Sequence, residues 1–350
     1  MSGIEHSTLL IRADANASIG IGHVMRCLSL AQAWCMCGGQ VVFLSQCGGS
    51  NIEERIRQTG CELVILSTND QDTEHLDETL HACRNFKAAW VVIDGYQFTS
   101  NFQWAIRQAG IRLLVLDDCC HMSCYHSNLL LNQNVTATDY HYTVDPDTTL
   151  LLGPRYALIR KEFFAYRKKS VLASDFAQRV LVSMGGSDPC NATLRMMQLL
   201  AAPLLTTQLD ITVIVGAANE NQNEIRRFAS QCGSAFQVCV NTVEMPRWMG
   251  WADFAITAGG STCLELAFIG TPMAALIIAD NQRDGVKKLS ENNVCIDLGT
   301  YESWNDTKII STIAILIQSV SQRMAMQAAG WALVDGHGAM RVVEQMRSHL

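Results

Sequence analysis

The chain has 350 residues, 49% of them apolar and 17% charged, enough to build two domain cores of ordinary size. Its formal net charge of −7 excludes a general nucleic-acid binder, though not an anionic ligand held by a local loop. The longest apolar run near the C-terminus, 309–317, is broken by Ser311 and Thr312 and is too short for a membrane span, and residues 1–7 carry no leader pattern, so a cytoplasmic chain is expected.

The first apolar run, 9–13, reads as a strand and is followed by Asp14. Gly20-Ile21-Gly22-His23 comes next, and then apolar residues at helical spacing: Val24, Leu28, Leu30, Ala31 and Trp34. Strand, glycine turn and helix together bring the backbone N–H groups around Gly20 and Gly22 to a helix N-terminus, a ready site for phosphate. His23 sits on that turn with the side chain best suited to proton transfer near neutral pH. Asp14, at the end of the strand below, is expected to orient its ring. Taken alone, such a turn is equally an ordinary βα connection. It departs from the dinucleotide fingerprint, because Met25 holds the third glycine position and the second strand, 41–44, runs into Ser45 rather than an acid. NAD is therefore not expected, and a Walker-type sequence is absent.

Further strands are predicted at 63–66, 90–93, 113–116 and 129–131, with helical stretches between most of them. This alternation predicts a parallel sheet covered on both faces. The predicted strand ends carry Asp14, Asp94-Gly95-Tyr96, Asp117-Asp118 and Asn132-Gln133-Asn134, at the edge where open α/β sheets bind ligands. The cluster Cys119-Cys120-His121-Met122-Ser123-Cys124-Tyr125-His126 follows. Without a second CxxC elsewhere it reads as a cysteine-rich loop, and no metal is expected. The remaining cysteines are scattered as buried thiols of a reducing compartment.

The segment 157–169 reads as a connecting helix, which divides the chain into domains 1–155 and 156–350. A second series of strands follows at 180–183, 211–215, 236–240, 254–257, 273–278 and 295–298. It opens with its own glycine turn, Gly185-Gly186, so two Rossmann-like α/β domains facing an interdomain cleft are expected, with the last helices, from Gln322 onward, crossing back to the first. In Ala258-Gly259-Gly260-Ser261-Thr262-Cys263-Leu264-Glu265, Ser261 and Thr262 suit a phosphate oxygen at a helix start. Glu265 lies one turn along the same face and suits two ribose hydroxyls, as a nucleotide diphosphate would present them. The bland alternative is a serine N-cap with a helical glutamate. Asn281 and Gln282 follow the next strand, with amides suited to sugar hydroxyls and N-acyl groups, though taken alone the segment reads first as an N-cap cluster.

Taken in order, these blocks resemble the UDP-2,4-diacetamido-2,4,6-trideoxy-β-L-altropyranose hydrolases of pseudaminic acid biosynthesis. The matching residues are Arg12-Ala13-Asp14 with Ile19 to Arg26, Ile93-Asp94-Gly95-Tyr96, Leu116-Asp117-Asp118, Tyr156 to Phe163, Met184-Gly185-Gly186-Ser187-Asp188, Ser261 to Glu265, and Asp280-Asn281-Gln282. The resemblance implies a two-domain GT-B fold, similar to the glycosyltransferase that forms lipid II, and removal of UDP from an activated sugar with water as acceptor. It places the catalytic histidine on His23, the strand-end tyrosine on Tyr96, the amide near the sugar on Asn281, and the nucleotide-side serine and glutamate on Ser261 and Glu265. His23 would either deprotonate the water or position it. No cofactor is implied. The expected partner is a small-molecule UDP-sugar, not nucleic acid or membrane, and the chain is expected as a monomer or weak dimer. The cysteine-rich segment after Asp118 departs from the family pattern. Two other readings stay open: a GT-B glycosyltransferase using a UDP-sugar donor, and a non-catalytic nucleotide-sugar-binding protein.

Overall fold

The computed structural model describes residues 4–15, 21–46, 50–67, 75–168, 175–201 and 209–350. The chain divides into two units, Met1–Lys161 with Gly336–Leu350, and Glu162–Asp335. In the first, β1 (Thr8–Ala13), α1 (Gly22–Met36), β2 (Gln40–Ser45), α2 (Ser50–Gln58), β3 (Glu62–Ile65), α3 (Leu76–Asn85), β4 (Ala88–Asp94), α4 (Ser100–Gln108) and β5 (Arg112–Leu116) alternate regularly. Two short strands, β6 (Leu129–Asn132) and β7 (Thr149–Leu152), complete an all-parallel sheet in the order β3-β2-β1-β4-β5-β6-β7.

The strands are continuous apolar runs because both faces of the sheet are buried. Successive side chains alternate between faces. Leu9, Ile11, Trp90 and Val92 join the core beneath α1, while Leu10, Val91 and Ile93 join the core with Phe98, Phe102 and Ile106 of the α4 side. β7 escapes the sequence reading. It has only four residues, with Leu150 exposed, and its place comes from pairing with β6.

The second unit holds β8 (Arg179–Ser183), α5 (Ala192–Leu200), β9 (Asp210–Val215), α6 (Gln222–Gln231), β10 (Phe236–Val240), α7 (Met245–Trp251), β11 (Phe254–Ala258), α8 (Thr262–Ile269), β12 (Met273–Ile277), α9 (Arg283–Glu291), β13 (Cys295–Thr300), α10 (Asp306–Gln318) and α11 (Val320–Leu333). Its sheet is again parallel, in the order β10-β9-β8-β11-β12-β13, around one core that includes Val180, Val182, Val213, Ile256 and Leu276. Among the described residues, no single helix is long and apolar enough to cross a membrane.

The expected connecting helix over 157–169 is not formed; residue 169 lies outside the described residues. Short 3₁₀ turns, Pro154–Tyr156 and Lys161–Tyr166, stand on either side of an irregular stretch. The N–H groups of Leu158 and Lys161 donate instead to the side-chain amides of Gln133 and Gln32, each at 2.8 Å. Local periodicity does not reveal these tertiary bonds.

α11 stays in the second unit, where Gln327 Nε2 donates to the Gly270 carbonyl at 3.0 Å. Only the last helix, α12 (Gly338–Ser348), belongs to the first. It adds Ala339, Val342, Val343 and Met346 to the core that holds Val24 and Cys27 of α1. Gly338 lets it seat, because a Cβ there would lie 2.2 Å from the Ala157 carbonyl oxygen and 2.5 Å from the Tyr156 carbonyl carbon.

Helix propensity alone favours alanine over glycine by about 1 kcal/mol. Gly338→Ala is nonetheless expected to destabilise the first unit by about 1–3 kcal/mol, because the clash is with backbone. Gly285→Ala, in α9, meets nothing within 4 Å and is expected to be neutral or stabilising. Thermal melting of the two variants checks the contrast; equal behaviour would show that α12 does not seat as described.

Candidate functional site

In a doubly wound sheet, ligands bind at the carboxyl ends of the strands, where strand order reverses. In the first unit that point lies between β1 and β4. β1 leads into α1, whose second residue is His23, and β4 ends at Asp94. Topology thus brings together two residues separated by 71 positions.

His23 is 8% exposed, and its Nδ1 lies 2.6 Å from Asp94 Oδ1. Arg26, one turn along α1, grips the same carboxylate with two prongs, Nε to Oδ2 and Nη2 to Oδ1, both at 2.6 Å. Its third nitrogen, Nη1, reaches Asp118 Oδ2 at 3.3 Å. Burial opposes the charge on Asp94, but the Arg26 charge and the bonds from Arg26 and His23 outweigh it and hold this carboxyl well below the usual range. Burial likewise opposes the charge of Arg26, and Asp94 and then Asp118 more than restore it, holding the guanidinium above its ordinary value. An ionised Asp94 only accepts hydrogen bonds. The ring therefore donates from Nδ1, and in its neutral form presents Nε2 as an acceptor. Nη2 of Arg26, 3.2 Å from Nδ1, donates to Asp94 rather than to the ring. Nε2 has no hydrogen-bond partner among the described residues.

Asp14 does not orient His23. Its carboxylate turns inward, where Oδ1 accepts from Arg12 Nη1 and, at 2.7 Å, from the Gln46 N–H, while Oδ2 accepts from Gln97 Nε2 at 2.8 Å. At 2% exposure and with those donors it braces the ends of β1 and β2. The ring's carboxylate is the one on β4, which adjacency in sequence does not suggest.

Tyr96 follows β4 and is 50% exposed. Its hydroxyl donates to Asp118 Oδ1 at 2.8 Å, and its ring meets His23 edge-on at 5.3 Å between centroids. Burial, then the Asp118 charge, keeps the phenol above its ordinary value, so it acts as a neutral donor. The His121 ring also meets Tyr96 edge-on, at 5.5 Å between centroids. His121 Nδ1 is 3.0 Å from Asp117, which also accepts from the Cys120 N–H, the Tyr125 hydroxyl and the Tyr142 hydroxyl. Two histidine–aspartate pairs thus flank one tyrosine. The sequence reading passed over Arg26 and His121. The signal for Arg26 was its i+3 spacing from His23 on one helix face; His121 was absorbed into the cysteine cluster.

Gly20 lies outside the described residues. Gly22 opens α1, and a Cβ there would meet nothing within 4 Å.

The second unit repeats the plan at its own reversal, between β8 and β11. Gly185 needs to be glycine for its φ of +87°. Gly186 and Gly260 are exposed with open space where a side chain would go, so packing does not demand glycine there. Asp188 closes this turn by accepting from the Ala192 and Thr193 N–H groups at 2.8 and 2.9 Å. Ser261 stands at the N-cap of α8 without a side-chain capping bond, and Thr262 and Glu265 lie in the first turn. The capping explanation for Ser261 therefore fails, and its hydroxyl is not used to hold the helix. Asn281 is exposed in a 3₁₀ turn, Asp280–Gln282. Gln282 is a structural clamp: its Oε1 accepts from the Gly259 N–H at 3.2 Å and the Ile278 N–H at 3.0 Å, tying the turns after β11 and β12 together. Gln282 is thereby removed from the expected ligand contacts as an acceptor.

Residues 180–339 match the glycosyltransferase family 28 C-terminal domain. The chain is 24% identical to an uncharacterized protein of Methanocaldococcus jannaschii over 82% of its own length, and spans 60% of that protein. It is 24% identical to the spore coat polysaccharide biosynthesis protein SpsG of Bacillus subtilis over 95% of both chains. It is also 24% identical to the UDP-2,4-diacetamido-2,4,6-trideoxy-beta-L-altropyranose hydrolase of Campylobacter jejuni, over 78% of this chain and 93% of that one. Among solved structures, MurG of Acinetobacter baumannii aligns with a TM-score of 0.67 at 12% identity, covering 98% of this chain and 99% of the other. The glycotransferase of kitacinnamycin aligns with a TM-score of 0.68 at 14% identity over 99% of both. The likeness establishes a GT-B fold, two parallel-sheet α/β units in one chain.

Asp94→Asn is expected to cost about 3 kcal/mol, the low end for breaking a buried ion pair, because Arg26 keeps Asp118. A depressed carboxyl pKa stabilises the fold fully above the unfolded value, about pH 4, and loses that contribution as pH falls below it. The wild type should therefore lose stability more steeply than the Asn variant below pH 4. Denaturant melts across pH 2–7 check this, and parallel curves would remove the ionised Asp94 from the account.

Proposed function

We propose that the protein hydrolyses UDP-2,4-diacetamido-2,4,6-trideoxy-β-L-altropyranose to UDP and free 2,4-diacetamido-2,4,6-trideoxy-L-altrose. The chain is related to enzymes that act on nucleotide sugars, and the reading goes further on one observation. His23 is held by Asp94 with its Nε2 lone pair uncommitted among the described residues, at the reversal point of the first sheet. The relative from Campylobacter jejuni, named as such a hydrolase, supports the substrate class.

In this reading the second unit holds UDP. Backbone N–H groups around Gly185 and Gly186, and Ser261 and Thr262 at the start of α8, stabilise the charge that develops on the departing diphosphate. Glu265 accepts two ribose hydroxyls, and Asn281 meets an acetamido group. In the first unit His23 Nε2 takes a proton from water as its oxygen bonds to the anomeric carbon. The anomeric C–O bond breaks, and its electron pair leaves with UDP. Asp94 balances the imidazolium that results, and Arg26 keeps Asp94 ionised. Tyr96, whose O–H is held by Asp118, stands edge-on beside His23.

The match to a glycosyltransferase domain favours a second reading, transfer to a sugar acceptor from the same donor site. Release of UDP with water alone separates the two, and an absolute requirement for an acceptor would overturn hydrolysis. In ¹⁸O-water, the label is expected on the anomeric oxygen of the sugar and absent from UDP, read early by mass spectrometry of the UDP. Label in the β-phosphate would mean attack at phosphorus. His23→Ala should retain UDP binding and lose turnover by about 10²–10⁴-fold; a near-wild-type rate would sink its assignment. Glu265→Ala should weaken UDP by roughly 10- to 100-fold in calorimetry, the loss of charged hydrogen bonds. An unchanged affinity would return Glu265 to a plain helical role.

A further inference from the structure

The chain between β5 and β6 gathers sulfur, nitrogen and oxygen donors at two places. Near the strand ends, ligand atoms of Asp117, Cys119 and His121 lie within 4.8 Å of one another. Asp117 is already saturated there by His121, the Cys120 N–H and two tyrosine hydroxyls. Farther along, Cys124, His126 and Asp145 form a second group within the same 4.8 Å. Its one internal bond is His126 Nδ1 to Asp145 Oδ1 at 2.9 Å, and all three residues are half-buried.

The backbone explains why these three meet. Tyr125 is fully buried and bridges in parallel to Val144, with its N–H donating to the Thr143 carbonyl at 2.9 Å. In extended chain, residues two apart share a face, which places Cys124 and His126 together on either side of that anchor. Asp145 follows Val144 on the paired segment. The His126 N–H is fixed by Gln103 Oε1 at 2.9 Å. His126 and Asp145 border a cavity of about 520 Å³ that Trp104, Arg107, Arg112 and Asn128 also line.

We propose that Cys124, His126 and Asp145 bind a zinc ion, with the fourth position left to water. Thiolate, imidazole and carboxylate are the donor set zinc takes, and three protein ligands leave one position open. Binding would replace the thiol proton of Cys124, released to solvent, and the His126–Asp145 hydrogen bond with bonds to the metal. The cavity reaches Gly110, Ile111 and Arg112, at the amino end of β5, whereas His23 and Asp94 stand at the carboxyl ends of the sheet. The ion would thus cross-link the cysteine-rich segment to the chain before β7 rather than enter the reaction. No local motif announces it, because its third ligand comes 19 residues after His126.

The test loads the full chain with Zn²⁺ or Co²⁺ and removes free ion. Metal content by mass spectrometry and the thiolate-to-cobalt charge-transfer band are then read, with circular dichroism confirming that each variant is folded. The expected result is one ion per chain with the band present. Both should be lost in Cys124→Ser and in His126→Ala, and both kept in Cys119→Ser. Folded wild type without the ion would overturn the site. Ion and band kept in Cys124→Ser, or lost in Cys119→Ser, would place any metal elsewhere and overturn it as well.

Discussion

Asp94 is a buried carboxylate that stays charged because Arg26 closes both of its oxygens and His23 donates to one of them. Without those partners, burial would favour its neutral form. The pair couples the end of β4 to the first turn of α1, and so sets the tautomer of His23 and which ring nitrogen is left to accept. α1 can deliver His23 and Arg26 to that spot because its buried face is locked between the sheet and the last helix. A contact between the start of one helix and the end of a non-adjacent strand thus depends on packing over the whole first unit.

The second unit repeats the topology with different residues at its reversal point. Its reversal point carries exposed glycines and a helix start where Ser261 makes no side-chain capping bond and Glu265 lies in the first turn. Such a surface suits an anion held by backbone N–H groups. The division is economical in physical terms. Backbone dipoles need no protonation change and bind charge, whereas proton transfer needs a side chain whose tautomer is set by a neighbour. Gln282 shows the support this requires: an amide that read as a ligand group instead holds two turns in register.

Much of this was legible in the residues. Buried parallel strands are short apolar runs, and 12 of them fall where the sequence placed them, within a few residues at each end. The exception, β7, is a short edge strand defined by its partner. Where a helix was expected at 157–169, two 3₁₀ turns form instead, and the Leu158 and Lys161 N–H groups bond to Gln133 and Gln32 from elsewhere in the chain. Local periodicity contains no record of such bonds.

The candidate site divides along the same line. Residue types, glycine turns and strand ends, set by local chain geometry, pointed by themselves to His23, Ser261 and Glu265, whereas Tyr96 came from the family resemblance. Which carboxylate holds His23 was a choice between Asp14, nine residues away, and Asp94, 71 away, and only the packed sheet made it. β1 and β4 are hydrogen-bonded neighbours, so both acids reach the same edge. Asp14 is drawn inward by Arg12, Gln46 and Gln97, which leaves Asp94 for the histidine. Competition among donors for one carboxylate is a property of the folded arrangement, because the donors come from segments that meet only after folding.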